Sequence, residues 1–413
     1  MKKIAVIGAG ITGMSSAYLL AKRGYDVTVY DKNRYAAMET SFANGGQLSA
    51  SNAEVWTRWQ TIFKGLKWMM KSDAPLLVNP KPSWHKASWM FEFMSNIPNY
   101  EANTIKTAEM AVRSRDVMTQ IAEDAGIEFN RVNQGILHFY DDQGEFSHAH
   151  NVTKMLEKAG LPRTRLTADE VRAIEPSIKS DVIGGYYTES DFTGDIHKFA
   201  TGLAKACEQL DVHFHWNQEV TNLTPAKSGS ASDGPAITAK DDDGNQETLS
   251  FDGVVICAGV FSRNLAAMAG DRVNIYPVKG YSITVHLQDE ASQKAAPWVS
   301  LLDDKAKIVT SRLGADRFRV AGTAEFNGYN YNIRADRIAP LTKWVEKNFP
   351  DVVTEYVTPW AGLRPMMPNM MPRIGRGKQK GIFYNTGHGH LGWTLSCVSA
   401  HMVSDIIQAS DNQ

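Results

Sequence analysis

The chain has 413 residues, with 44 Lys and Arg against 45 Asp and Glu and a formal net charge of −1 at pH 7. That balance excludes the basic footprint of a nucleic-acid binder and the charge excess of a disordered tail. The length is generous for one hydrophobic core and predicts two domains, and the three well-separated cysteines, Cys207, Cys257 and Cys397, form neither a C-x-x-C pair nor a metal set, which predicts a reducing, cytoplasmic setting. The fold is expected to begin within a few residues of Met1, with no room for a signal peptide, and no apolar run reaches the length of a membrane span.

In MKKIAVIGAGITGMSSAYLLAKRGYDVTVYDKN, residues 3–8 have the apolar character of a buried parallel strand, and Gly8, Gly10 and Gly13 follow at G-x-G-x-x-G spacing. Apolar residues then recur every three or four positions, predicting a helix over 11–23 that starts inside the glycine cluster and is stopped by Gly24. A strand over 26–30 brings Asp31 to its C-terminal tip, where a carboxylate accepts bonds from ribose hydroxyls. Glycines alone are a weak signal. Strand, glycines, helix, strand and acid in that order predict an adenine dinucleotide, and the acid argues against a 2′-phosphate.

Residues 54–191 read as largely helical. Within them WTRWQTIFKGLKWMMKSDAPLLV, 56–78, sets Trp56, Trp59, Phe63, Leu66, Trp68, Met69 and Met70 among Arg58, Lys64, Lys67 and Lys71. At helical spacing this is an apolar stripe with a basic border, which suits either a core helix or a helix in a membrane interface. A helix over 195–210 and a strand over 212–216 return to nucleotide-domain material and lead to Val220. The polar runs 227–234 and 241–245 read as hairpin tips. A buried strand over 254–257 enters the small residues Ala258 and Gly259. Residues 276–356 are strand-rich. Gly387, Gly389 and Gly392 precede a helical run over 394–407, a second helix N-terminus offering amides to an electron-rich group. The expected fold is α/β: a Rossmann-like dinucleotide-binding domain assembled from 1–53, 191–275 and 357–413, interleaved with an α+β substrate-binding domain from 54–190 and 276–356 carrying a mixed or antiparallel sheet. His148/His150 and His213/His215 lack partners at metal spacing and read as strand or loop histidines, so no metal is expected.

The motifs METSFANGGQLS, PVKGYSITV, WAGLRPMMP and NTGHGHLGWTLSC fall in order over nearly the whole chain and closely resemble the FAD-dependent D-amino acid dehydrogenase family, within the group that includes glycine oxidase and sarcosine oxidase. The resemblance implies non-covalent FAD. Position by position, Gly8, Ala9, Gly10, Ile11, Thr12 and Gly13 are expected at the pyrophosphate, Asp31 with Lys32 at the ribose, and Val220 at the adenine through its backbone. Ser41, Asn44, Gly45, Gly46, Gln47 and Leu48 are expected along pyrophosphate and ring, with Ala258 and Gly259 close by. Gly389, His390, Leu391, Gly392, Trp393 and Thr394 are expected at the pyrimidine end.

The implied reaction is oxidative deamination, in which the Cα hydride passes to the flavin and the imine hydrolyses to a 2-oxo acid. Orientation is most of the protein's task. Arg364 in GLRP is expected to clamp the carboxylate with its planar fork, Tyr281 in KGYS to be a second contact, and His390 to handle protons or bond the flavin. The run 50–54 departs from the Gly-Tyr pair familiar in D-alanine-acting members and brings Asn52 and Glu54 to the expected pocket. MPNM at 367–370 replaces their TPDG. Both changes leave the substrate open, and Glu54 suits a cationic or cyclic imino acid such as a D-proline derivative if it is not simply solvated. A quinone-type acceptor is implied, with possible peripheral contact through 56–78 at the cytoplasmic face of the inner membrane. An O2-using amine oxidase, a tRNA side-chain processing flavoenzyme and a non-catalytic flavin subunit are the alternatives, and neutrality counts against the second.

Overall fold

The computed structural model describes residues 1–68, 75–226 and 234–411. Lys3–Ile7 lies inside a six-stranded sheet ordered Arg373–Arg376, Ile382–Thr386, Gly253–Ile256, Lys3–Ile7, Asp26–Tyr30, His213–His215. All neighbours are parallel except the first pair. The central strands are apolar throughout because both faces are covered. Helices Ile11–Lys22, Ile196–Glu208 and Gly392–Asp411 cover one face, where Val6, Met14, Val29, Leu203 and Cys397 share a core. The antiparallel strands Glu219–Thr224, Ala236–Lys240 and Gln246–Ser250 cover the other, joining Leu223 and Ile237 to Ala5 and Ile7. The tip at 241–245 is a turn closed by Asp241 and Asn245; most of the tip at 227–234 lies outside the described residues.

The second sheet has nine strands: Val357–Met366, Tyr276–His286, Arg317–Phe326, Ile308–Arg312, Ser300–Asp303, Ile136–Tyr140, Gly184–Thr188 and Thr164–Thr167 in order, with Leu76–Val78 added beside Arg317–Phe326. It is mixed, as expected for the α/β class with a mixed second sheet. Helix Ala335–Asn348 packs on one face through Leu341, Trp344 and Val345 against Ile283, Val285 and Phe318.

Three expectations are corrected. Residues 357–366, expected in the nucleotide domain, pair along their whole length with Tyr276–His286, from Tyr276 opposite Met366 to Val285 opposite Val357. They form the sheet's edge, which accommodates Pro359 and Pro365 because an edge leaves one row of amides unpaired. His148 and His150 lie on the helix Gln143–Lys158, not on a strand or loop. The 56–78 stripe is split: Trp59–Trp68 is helical and Leu76–Val78 is a strand, with Trp56 and Ile62 packed inward while Trp59 and Phe63 face out. Met69, Met70 and Lys71 lie outside the described residues.

Candidate active site

A cavity of about 770 Å³ lies between the two sheets, lined from Gly8 at one end to Arg364 and Glu54 at the other. The glycine turn is close-packed. A Cβ on Gly8, whose φ is +103°, would lie 2.7 Å from the Cys257 carbonyl oxygen, and one on Gly13 would lie 1.8 Å from the Gly8 carbonyl oxygen. Helix Ile11–Lys22 therefore starts directly at the cavity, with the Ile11 amide donating to the Ser41 hydroxyl at 3.0 Å. Gly10, Ile11 and Thr12 line the cavity; Ala9 and Gly13 stand behind the turn. Asp31 lines the cavity and also braces the turn, one carboxylate oxygen accepting from the Ala9 amide at 2.6 Å and the other from the Asn33 amide at 2.8 Å. Burial raises its pKa against those bonds. Lys32 pairs with Glu39 at 2.7 Å and sits over the Phe261 ring.

Asn44, Gly45, Gly46 and Gln47 continue the wall, with Val220, Ala258 and Gly259. Leu48 does not line it: its side chain is fully buried in the core under the six-stranded sheet, because the strand Gln47–Leu48 alternates faces. Gln47 donates to the Ser300 hydroxyl at 2.8 Å, which leaves its buried carbonyl oxygen without a partner. At the far wall, Gly389–Leu391 forms a short turn of 3-10 helix running into Gly392–Asp411. His390, Trp393 and Thr394 line the cavity there, Thr394 accepting from the Ser49 amide at 3.3 Å.

The strand alternation of WAGLRP puts Trp360, Gly362 and Arg364 on one face, beside Ser282, Gly280 and Val278 of the neighbouring strand. The Arg364 guanidinium lies on Gly280, where a Cβ would come within 2.4 Å of it. It donates to the Thr323 carbonyl at 3.0 Å and has no carboxylate partner among the described residues. Burial alone pushes its pKa down to about 10. His390 stacks on Trp56 with ring centroids 4.6 Å apart, and among the described residues neither ring nitrogen has a partner in hydrogen-bond geometry. Burial, then the Arg364 charge, push its pKa down to about 3, against opposing pulls from the Asn52 backbone and the Glu54 charge. The ring is neutral near pH 7, so it is no general acid there.

Tyr281 and Glu54 are corrected. Tyr281 is among the residues bordering the cavity, but its ring packs in the core under Ala335–Asn348 and its phenol donates to Glu325 at 2.6 Å, so the hydroxyl is already spent. In KGYS the residue next to Arg364 is Gly280. Glu54 lines the cavity but is already partnered, by the Tyr100 hydroxyl at 2.7 Å, His148 at 3.1 Å and Arg58 at 3.4 Å. Those contacts outweigh burial and hold its pKa low, so it is an ion-paired wall rather than a free carboxylate for a cationic substrate. Asn52 lines the cavity, whereas 367–370 do not; Met370 packs with Trp89.

The family model described as FAD dependent oxidoreductase matches residues 3–406. The chain belongs to that family. A D-amino acid dehydrogenase 3 of Mesorhizobium japonicum is 57% identical over 407 residues, 98% of this chain and 97% of that protein. A D-amino acid dehydrogenase of Dechloromonas aromatica is 38% identical over 98% of this chain and 96% of its own length. Among solved structures, a glycine oxidase from Geobacillus kaustophilus superposes with a TM-score of 0.76 at 20% identity, covering 99% of this chain and 95% of that one. An L-proline dehydrogenase from P.horikoshii gives 0.74 at 18%, covering 99% and 94%. These last two show a shared fold.

The cofactor of the flavoprotein is FAD, and the residues present fit it. The close-packed glycine turn brings the start of Ile11–Lys22, where Thr12 lines the cavity beside the Ser41-bonded Ile11 amide, within reach of a pyrophosphate, Asp31 retains lone pairs for ribose hydroxyls, and the orphaned Gln47 oxygen suits a ring N–H. What the sequence missed arrives by long-range contact: Thr323, Asp304 and Lys307 line the cavity from strand and hairpin positions with no motif around them. Trp360 was findable from strand alternation with Arg364.

Two further histidines of the flavoprotein give a stability prediction. Burial lowers His388, bonded to Ser399 at 2.9 Å, to about 3, and His138 to about 4, from an ordinary 6.5. Between pH 6.5 and about 4 the unfolded chain therefore binds more protons at these sites than the folded one. Stability should be unaffected by them above pH 6.5 and decline below it, by up to about 1.4 kcal/mol per pH unit per group. Denaturant unfolding at neutral and acidic pH should show a shallower acid loss for His388→Gln; an unchanged slope would refute this.

Proposed function

We infer that the flavoprotein oxidises a D-amino acid to its imine, which water converts to the 2-oxo acid, and passes the electrons to a quinone-type acceptor. Bound FAD supplies the hydride acceptor. The observation that carries the reading is Arg364, a desolvated guanidinium with no carboxylate partner among the described residues, facing an otherwise largely apolar cavity. Such a charge is costly to bury and is suited to a substrate carboxylate. Seating the carboxylate there fixes Cα relative to the cofactor; Trp360 and Trp56 exclude water, and neutral His390 offers a ring nitrogen to the amine. The D configuration rests on the relatives, which carry that name over nearly their whole length. Anaerobic mixing of the yellow protein with paired D- and L-amino acids tests it. Bleaching by D-isomers is expected; bleaching by L-isomers alone, or by none, would reject it.

The site assignments above belong to the same reading, as does a division into a nucleotide part, 1–53, 191–275 and the chain beyond 366, and a substrate part formed by the rest. FAD is read as non-covalently held. A peripheral location at the cytoplasmic face of a membrane belongs to the same reading, and apolar exposure next to the cavity supports the membrane contact. Trp84, Phe91 and Met94 are 86%, 70% and 40% exposed along one stripe of Trp84–Ser95, and Trp59 and Phe63 are exposed on Trp59–Trp68. The inner sides of both helices, through Ile62, Trp89 and Phe93, wall the cavity. Among the described residues no helix is long and apolar enough to cross a membrane. Replacing Trp59, Phe63, Trp84 and Phe91 together by Ser should abolish vesicle binding and quinone turnover while leaving turnover with a soluble dye intact. Retained vesicle binding would place the contact elsewhere, and rapid peroxide production by the unmodified protein would make it an oxidase.

A further inference from the structure

A buried hydrogen-bonded chain stands behind the cavity wall, unused by the cofactor and carboxylate contacts. The Ser49 and Ser51 hydroxyls are 3.0 Å apart, Ser51 Oγ is 3.0 Å from Nε2 of His138, and Nδ1 of His138 is 3.4 Å from a carboxylate oxygen of Asp304. Tyr140 donates to that same oxygen at 2.7 Å. Ser49, Ser51 and His138 are at most 3% exposed. The chain joins two stretches of the cavity's own wall, since Asp304 and Lys307 line the cavity as Ser49 does. Ser49 lines the cavity beside the start of Gly392–Asp411, to whose Thr394 its amide is bonded. Asp304 is on the hairpin tip between Ser300–Asp303 and Ile308–Arg312, next to the 43% exposed side chain of Lys307 at 3.3 Å. The middle is held rigidly: Asp191, paired with Arg115 at 3.1 Å, accepts from the amides of Ala50 and Ser51 at 3.1 and 2.9 Å. Serine, histidine and carboxylate stand in hydrolase order, but Ser51 does not line the cavity, so no substrate carbonyl reaches it.

We propose that Ser49, Ser51, His138 and Asp304 form a proton path that carries the ammonium proton of the amino acid substrate from the Ser49 side of the cavity to water at its Asp304 rim, on the hairpin tip. The proposal rests on the reading of the substrate as an amino acid. An amine releases its Cα hydride only when its nitrogen lone pair is free. The ammonium N–H bond breaks as Ser49 Oγ takes the proton and hands its own to Ser51; Ser51 hands its proton to Nε2 of His138, and the Nδ1 proton goes to Asp304 and on to water. The net change is a neutral amine and one proton in solvent, with nothing oxidised in this step. The groups facing His138 are Arg163, Asp304, Lys307, Tyr140, and Tyr186 with its partner His150. Burial and Arg163 keep the imidazole from retaining a proton, so it is a carrier rather than a store.

The test is the anaerobic rate of flavin bleaching, across pH, by an amino acid that reduces the unmodified protein, in Ser51→Ala and His138→Gln. Near neutral pH both variants should be roughly 100-fold slower or more. The deficit should close above the substrate's own ammonium pKa, where the neutral amine enters directly. A deficit independent of pH, or none, would overturn the path. So would loss of flavin from both variants, which would assign the cluster to structure. Failure of every amino acid to bleach the unmodified protein would reject the functional reading itself, a result distinct from bleaching whose pH profile the variants leave unchanged.

Discussion

Replacing Arg364 by Lys should lower kcat/KM for amino acids by about 2 to 4 kcal/mol of transition-state stabilisation, roughly 30- to 700-fold, with flavin content near normal. The guanidinium lies flat on Gly280 and spends one N–H on the Thr323 carbonyl at 3.0 Å, leaving the rest of its fork for the substrate. A lysine ammonium keeps the charge but cannot serve both partners in one plane. Steady-state kinetics of R364K with absorbance of bound flavin measures this, and unchanged kcat/KM would move the carboxylate clamp elsewhere. Gly280→Ala should reproduce part of the loss without touching the charge, because the added Cβ occupies the space of the guanidinium.

The second large effect is expected at Gly13. An alanine there puts a Cβ 1.8 Å from the Gly8 carbonyl oxygen, a backbone atom of a turn already closed on Cys257. Overpacking against backbone costs about 1–3 kcal/mol where the surroundings give way, and more where they do not. The turn must open, which displaces the amides at the start of Ile11–Lys22. G13A should therefore purify with little or no flavin and a reduced Tm. Gly24→Ala is the control: its φ is +82°, but a Cβ there meets nothing within 4 Å. It should lose only about 1–2 kcal/mol of left-handed backbone preference and keep its flavin. Equal flavin content in G13A and the unmodified chain would refute the close-packing account.

The parts of the molecule legible in advance are those whose physics is local. Gly8, Gly10 and Gly13 announce a turn because their spacing and the flanking apolar periodicities belong to one strand–turn–helix unit, and Asp31 follows at the tip of the next strand of the same sheet. GLRP pointed to Arg364 as a cavity residue, and that is where it lies. The role expected of Tyr281 was not legible because a motif does not say which face of a strand looks inward; Gly280, Tyr281 and Ser282 all border the cavity, but packing under Ala335–Asn348 takes the Tyr281 ring into the core and its phenol to Glu325. Glu54 looked free in sequence, yet two of its three partners, Tyr100 and His148, come from helices 46 and 94 residues away.

By itself, then, the sequence determined the α/β class, the dinucleotide turn and the return of the nucleotide sheet late in the chain, since each depends on periodicity and glycine spacing over a few tens of residues. Only the tertiary structure decided that 357–366 completes the nine-stranded sheet, that Glu54 is ion-paired, and that Ser51, His138 and Asp304 meet across separations of 87 and 166 residues. Those contacts are made by side chains on elements brought together by burial of unrelated apolar faces, and a polar residue carries no local mark of the partner that such packing will deliver to it.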